Sequence, residues 1–370
     1  MNQESLDLTQ IRADVERAGS PWETDETSMT ALSHEERVTR LGVTPPPGEM
    51  TLAELDVALS SNAALVQHET AASVGAPASF DLRNVSGNNY VTPIRDQGGC
   101  GSCVAFGTSG AIESTAAYER RDPSIKFDLS EAQLFYCWAR ADGRNCSNGW
   151  WPENAFKAIY DKGLTFEDYY PYTAGDQNCT GLNADWPNKC IHIGSYTHLA
   201  SPAAMKEWIS TIGGIDACFA VYNDFFAYRS GVYQHVSGAL AGGHCVTLIG
   251  YDDAQGCWVG KNSWGTGWGE AGFFKIAYGQ CGIETWLGPW AASGVSARLW
   301  RNNLQVRGLW TNESDRNAWV YLNGVGWRKI AANDDQITLS MLAELIAAKA
   351  AARPVNVFDD GGTINQLYVL

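Results

Sequence analysis

The sequence predicts an α+β fold, and three observations predict it. Helix-period segments come first in the central stretch, at about residues 102–120, 130–136 and 152–162. Short aromatic runs that read as strands follow (CFAVY, HCVTLIGY, CWVGKN, GFFKIAY), with turn signals such as Asp252-Asp253 and Gly265-Thr266-Gly267 between them. The flanking stretches differ in character from this centre, which divides the chain into residues 1–78, 79–290 and 291–370. Helices followed by antiparallel strands is the α+β order, as opposed to alternating βαβ units.

Each piece has its own justification. Residues 1–78 hold 13 Asp or Glu against 4 Arg, a net −9 out of −15 for the whole chain. Two helical patterns lie there, Ala31–Leu41 and Leu52–Gln67, separated by TPPPG (Thr44–Gly48), which cannot continue a helix and favours an extended link. The piece is too short and polar for its own core. It is either a disordered acidic leader or a segment that folds against the rest. Gly75 and Pro77 mark its end. The last 80 residues read as a small β-rich domain: LWRNNLQVRGLW, AWVYL and WRKIA are strand-like, Asn323-Gly324 is a hairpin turn signal, and a helix runs from about Ile337 to Ala352.

Composition narrows the function. With 370 residues, 45% of them hydrophobic, the chain has material for about two domains plus an appendage. It contains no apolar run of membrane-spanning length, and its first residues lack the basic start and apolar stretch of a secretory signal. The acidic balance disfavours nucleic acid or an anionic membrane as partner. Ten cysteines fit several bridges in an oxidising compartment, which the missing signal argues against.

The chemistry starts at QGGCGSCVAFG, Gln97–Gly107. Cys100 and Cys103 have the spacing of a redox pair before a helix, but no βαβ pattern surrounds them. A zinc site needs four ligands, and no second CxxC or HxxxH lies nearby, so no metal or cofactor is expected. Two structural cysteines in a glycine-rich turn fit equally well. Far down the chain, GGHCVTLIGYDD puts Gly243 and His244 at the start of an apolar strand, and GCWVGKNSWGTGWGEAGFF puts Asn262 eighteen residues later, beside Trp264. GTGWGEAG is a poor phosphate loop because a strand, not a helix, follows it.

Taken jointly, Gln97, Cys103, His244 and Asn262 stand in the order and spacing of the papain family of cysteine peptidases. QGGCGSCVAF resembles the family's QGSCGSCWAF, KNSWGTGWGEAGFF its KNSWG-x-x-WGE-x-GY, ASFDLRN its mature start, and NCSNGWWP its CNGG segment along the cleft. The resemblance covers about Ala78–Trp290. It implies a papain-like two-lobed fold, a helical lobe beside an antiparallel β-barrel-like lobe, and a cysteine endopeptidase acting on protein or peptide substrates through a thioester.

In that reading Cys103 is the nucleophile, its thiolate favoured by a helix N-terminus that Ser102 caps and by a protonated His244. Asn262 orients the imidazole under Trp264, and Gln97 with the backbone N–H of Cys103 forms the oxyanion hole. The resemblance pairs Cys100 with Cys146 and Cys137 with Cys179, and leaves Cys190, Cys218, Cys245, Cys257 and Cys281 unassigned. It places Gly149, Trp150, Gly243, Trp264 and Trp286 along the substrate cleft, with Gly149 pairing to substrate backbone and Trp286 at the base of a shallow pocket or turned into the core. Val104 stands where the family has Trp.

By the same resemblance residues 1–78 are a propeptide, an intramolecular inhibitor lying reversed in the cleft. They lack the family's spaced Glu/Arg/Phe/Asn pattern, and their carboxylates suggest pairing with basic groups that mild acid would release. Two alternatives remain: an acyltransferase or transpeptidase on the same fold, and a thiol–disulfide protein using Cys100 and Cys103. In the last piece, Trp300, Trp310, Trp319 and Trp327 either pack a core or line a carbohydrate or protein surface.

Overall fold

Small residues dominate VAFGTSGAIESTAAY, and a helix with small residues on every side can be enclosed by its neighbours. In the computed structural model, which describes residues 6–61, 75–332 and 334–370, the helix Cys103–Glu119 is buried from Cys103 through Tyr118. Two glycines let the strand Leu240–Asp252 lie directly against it. A β-carbon at Gly110 would fall 2.5 Å from Thr247 Oγ1, and one at Gly107 would fall 3.1 Å from Cys245 Sγ. This close contact fixes the Cys103 end of the helix beside the His244 end of the strand.

The chain forms two compact units, Met1–Leu182 with Ile193–Gly294, and Asn183–His192 with Val295–Leu370. In the first, the sheet runs in the order Ser195–His198, Trp290–Ser293, Ile215–Tyr222, Leu240–Asp252, Cys257–Lys261, Phe273–Ala277, Tyr228–Tyr233, Trp22–Thr24, with Ser79–Asp81 also pairing to Leu240–Asp252. The pairing is antiparallel except between Phe273–Ala277 and Tyr228–Tyr233. The order is linear, so among the described residues the strands form an open, mostly antiparallel sheet, consistent with the α+β fold expected from sequence. One of its edges is capped by the N-terminal strand Trp22–Thr24.

Two helices depart from the sequence reading. The segment expected to be α-helical over 130–136 is a π-helix, Gln133–Ala139, a register that apolar periodicity cannot distinguish from α over two turns. The second N-terminal helix is described over Leu52–Ser61, and the rest of its expected span, residues 62–67, lies outside the described residues. The first is shorter than its pattern, His34–Val38, and is closed by a capping box between Ser33 and Glu36.

The N-terminal segment has few buried residues of its own and borrows its packing from the domain. Trp22 is buried against Tyr228 and Tyr233, and its indole N–H donates to the Gln234 carbonyl at 2.9 Å. The second unit instead has its own core: Val320, Leu322, Ile330, Val355, Val357 and Ile364 from the sheet meet Met341, Leu345 and Ala348 of the helix Asp335–Ala350. Asp334 caps that helix by accepting from the N–H groups of Gln336 and Ile337. Trp310 and Trp327 are each 47% exposed, Trp300 stacks on Tyr368, and Trp319 donates to Asn317.

Candidate active site

The helix that begins at Cys103 puts this sulfur at its first turn. Ser102 holds the N-cap position, but its hydroxyl bonds the Tyr172 hydroxyl at 2.7 Å and makes no capping bond, contrary to the sequence expectation. Tyr172 also donates to the Gln97 carbonyl at 2.8 Å, so one phenol ties the loop before the helix to its start. Cys100 is bonded to Cys146, and Cys137 to Cys179. With its sulfur so engaged, Cys100 has no bond to Cys103, which removes the redox-pair reading.

On the facing strand, His244 shares Nε2 with Asn262 Oδ1 at 2.8 Å, and the same oxygen accepts from the Ser263 N–H at 2.8 Å. Trp264 stacks on the imidazole with centroids 4.6 Å apart, shielding that hydrogen bond from water. His244 Nδ1 is left buried with no hydrogen-bond partner. Gln97 is held from two sides: Ser263 Oγ donates to its Oε1 at 2.7 Å, and its Nε2 donates to the Cys100 carbonyl at 2.8 Å. Ser263 and Tyr172 were missed by the sequence reading. Ser263 sits inside the KNSWG motif beside Asn262, whereas nothing local to Tyr172 marks it.

Residues 40–44 run through this site. The Arg40 carbonyl accepts from Gln97 Nε2 at 2.9 Å, and the backbone N–H groups of Gly42 and Cys245 both point at the Cys103 sulfur. Trp150 N–H donates to the Gly42 carbonyl at 2.8 Å, Thr44 N–H to the Trp150 carbonyl at 3.1 Å, and Val43 N–H to the Gly243 carbonyl at 3.1 Å. Val43 and Trp150 form a parallel bridge. Gly42 is obligatory here, since a β-carbon would fall 1.9 Å from the Gly101 carbonyl oxygen.

The cleft residues divide by how they meet this segment. The backbone of Trp150, rather than that of Gly149, carries the hydrogen bonds, while Gly149 supplies clearance; a β-carbon there would strike the Gly42 carbonyl at 1.9 Å. The Trp150 ring is fully buried, its N–H on Asp142 at 3.0 Å. Trp286 is buried, donates to the Met50 carbonyl at 2.9 Å, and lies with its ring edge at Gly243, where Val43 also packs.

Burial reverses the charge state expected from sequence. With residues 40–44 in place, loss of water pushes the Cys103 thiol up to about 12 and the His244 imidazole down to about 4. Nearby Cys218 raises the thiol further, and the N–H groups of Gly42 and Cys245 only partly oppose this. Near pH 7 both groups are therefore neutral, not an ion pair. Among the described residues, three of the segment's carboxylates meet the domain through neutral hydroxyls and not through the expected basic groups. Asp14 accepts from Ser237, Glu23 from Ser230 at 2.6 Å and Asp56 from Tyr222 at 2.7 Å, all neutral hydroxyls, while Arg40 pairs with Asp96 at 2.7 Å.

The model of the papain family cysteine protease matches residues 76–287. A cathepsin B-like protein, CP3, of Giardia intestinalis is 35% identical over 243 residues, 61% of this chain and 78% of that protein. Mouse pro-cathepsin H is 36% identical over 219 residues, 56% of this chain and 62% of its own length. Among solved structures, digestive procathepsin L2 of Tenebrio molitor is 28% identical with a TM-score of 0.58, covering 78% of this chain and 89% of that one. Procathepsin B S9 of Trypanosoma congolense, at 23% identity and a TM-score of 0.62, covers 78% of this chain and 98% of that one and shares the fold. The chain belongs to the papain family of cysteine proteases.

Proposed function

We propose that the chain is the zymogen of a cysteine endopeptidase in which Cys103, His244, Asn262 and Gln97 perform the reaction and residues 1–78 are the inhibitory propeptide. The observation that carries the reading is the course of residues 40–44, whose backbone occupies the Gln97 donor and covers the Cys103 sulfur. The extent of the structural matches supports it too. The proform of procathepsin L2 covers 78% of this chain, more than residues 76–287 alone, 212 of 370, would supply.

Once the propeptide leaves, water and substrate replace it around the sulfur and the imidazole. His244 Nδ1, which has no other partner, takes the Cys103 proton, and the helix N-terminus favours the thiolate. The thiolate attacks the scissile carbonyl. Gln97 Nε2 and the Cys103 N–H then donate to the oxyanion, a contribution of about 3 kcal/mol per donor. His244 returns the proton to the leaving amine and afterwards activates water against the thioester. Asn262 and Trp264 hold the ring in the plane these transfers need, and Ser263 holds the Gln97 amide.

The place where Val43 meets Trp286 and Gly243 marks a shallow apolar subsite that takes side chains of about valine size. Profiling the processed enzyme on a peptide library tests this, and a preference for Arg there would contradict it. For the activity itself the test is labelling of the processed enzyme with a peptidyl epoxide, followed by peptide mass spectrometry. Adduct on Cys103 alone, absent in Cys103→Ala and retained in Cys100→Ala, is the expected result; adduct on any other cysteine refutes the assignment.

A further inference from the structure

Two of the free cysteines, Cys218 and Cys245, lie directly opposite each other on the antiparallel strands Ile215–Tyr222 and Leu240–Asp252. Directly opposed residues in such a ladder have α-carbons about 4.5–5.5 Å apart, inside the range a disulfide spans. Both are fully buried, the two thiols are in hydrogen-bonding contact, and their sulfurs and a carboxylate oxygen of Asp216 lie within 4.8 Å of one another. Cys245 donates to Asp216 Oδ1 at 2.5 Å, and Thr108 donates to the other oxygen of that carboxylate at 2.5 Å.

Two ligand chemistries suit two thiols and a carboxylate, and the contacts separate them. A tetrahedral zinc ion would hold a sulfur and an oxygen about 3.5 Å apart, given metal–ligand distances of about 2.3 and 2.0 Å. In the protein the Cys245 thiol bonds Asp216 Oδ1 directly, and the cluster offers three ligand groups where structural zinc takes four. The arrangement is that of a thiol with a base beside it and a second thiol across the ladder.

We propose that Cys218 and Cys245 are an oxidisable pair that closes a third, cross-strand disulfide under the action of a peroxide. Both thiols are fully buried, so the step begins when local opening of the strand pair admits the peroxide, and Asp216 then accepts the Cys245 proton. The thiolate attacks one oxygen of hydrogen peroxide and breaks the O–O bond, leaving a sulfenic acid on Cys245; the released hydroxide takes the proton from Asp216 and departs as water. The Cys218 sulfur then attacks the Cys245 sulfur, and the hydroxyl leaves with the Cys218 proton as a second water. Two thiols and one peroxide give one disulfide and two waters, and a dithiol reductant reverses the change. The bond sits next to the site in sequence and in space, because Cys245 follows His244 and its N–H points at Cys103. It would pin the His244 strand to its neighbour. The proposal stands on this pair alone and does not depend on the peptidase assignment.

The test uses the full-length Cys103→Ala chain, in which five of the six free cysteines remain. It is treated with hydrogen peroxide, denatured, alkylated and mapped by mass spectrometry, with thermal unfolding confirming that each variant is folded. Alkylatable thiols are expected to fall from five to three, with a Cys218–Cys245 cross-linked peptide that a dithiol abolishes. In Cys103→Ala/Cys218→Ala the peptide is lost and Cys245 traps as a sulfenic acid adduct. Retention of all five thiols, or oxidation of Cys245 to sulfinic or sulfonic acid with no cross-link while Cys218 stays alkylatable, would overturn the proposal.

Discussion

The two ends of the chain are built on opposite principles. The C-terminal unit closes a core of its own, with Leu345 and Ala348 of its helix set among Val320, Ile330, Val355 and Ile364. The N-terminal segment lends one strand to the domain's sheet edge and threads residues 40–44 through the cleft, held there chiefly by backbone hydrogen bonds and by clearances only glycine allows. A segment whose order depends on the surface it covers loses that order once cut away, and a closed core does not. That difference is what the proposed roles require of an N-terminal segment that is cut away and a C-terminal unit that folds around its own core.

The sharpest way to break this comparison acts where the segment and the chemistry share a group. Gln97→Ala in the processed enzyme should lower kcat by about 10²–10³-fold with little change in KM, the loss of one oxyanion donor. Steady-state kinetics that show an effect on KM alone would remove Gln97 from the reaction.

A second substitution loads only the inhibitory side. Gly42→Val drives a side chain into the Gly101 carbonyl, and overpacking of this kind costs about 1–3 kcal/mol. The isolated 1–78 peptide carrying it should inhibit processed enzyme about 10–100-fold more weakly than the natural peptide, as read from inhibition constants. Equal constants would mean that residues 40–44 do not seat in the cleft.

The smallest expected effect on activity sharpens the other half of the comparison. Leu345→Ala empties a fully buried position and should cost the C-terminal unit about 2–5 kcal/mol, seen as an earlier unfolding transition in calorimetry. The processed enzyme should keep its kcat/KM at a temperature where that unit remains folded.

What was legible from sequence follows from how local each signal is. The Cys103–Glu119 helix, the helix Pro152–Lys162 and the His244 strand announce themselves by periodicity and composition. The pairing of His244 with Asn262 is legible only because a known family spaces those residues in the same way. Other features depend on contacts between segments far apart in the chain, which no local period encodes. Cys190–His192 pairs with Ser296–Leu304 inside the second unit, and Trp22–Thr24 joins a strand some two hundred residues later. The charge state of Cys103 and His244 in the precursor depends on such contacts too: residue types supply the ion pair, but residues 40–44 exclude the water that would stabilise it.

The account turns on a nucleophile held dormant by burial and released by processing, and the rate of Cys103 alkylation against pH tests this most directly. A thiol raised to about 12 in the precursor stays protonated across the neutral range, so alkylation of Cys103 there should be slow and rise only in strong alkali. After removal of residues 1–78 the same cysteine should react fast, with a plateau already reached below the ordinary thiol value of about 8.5. Identical pH profiles before and after processing would contradict it.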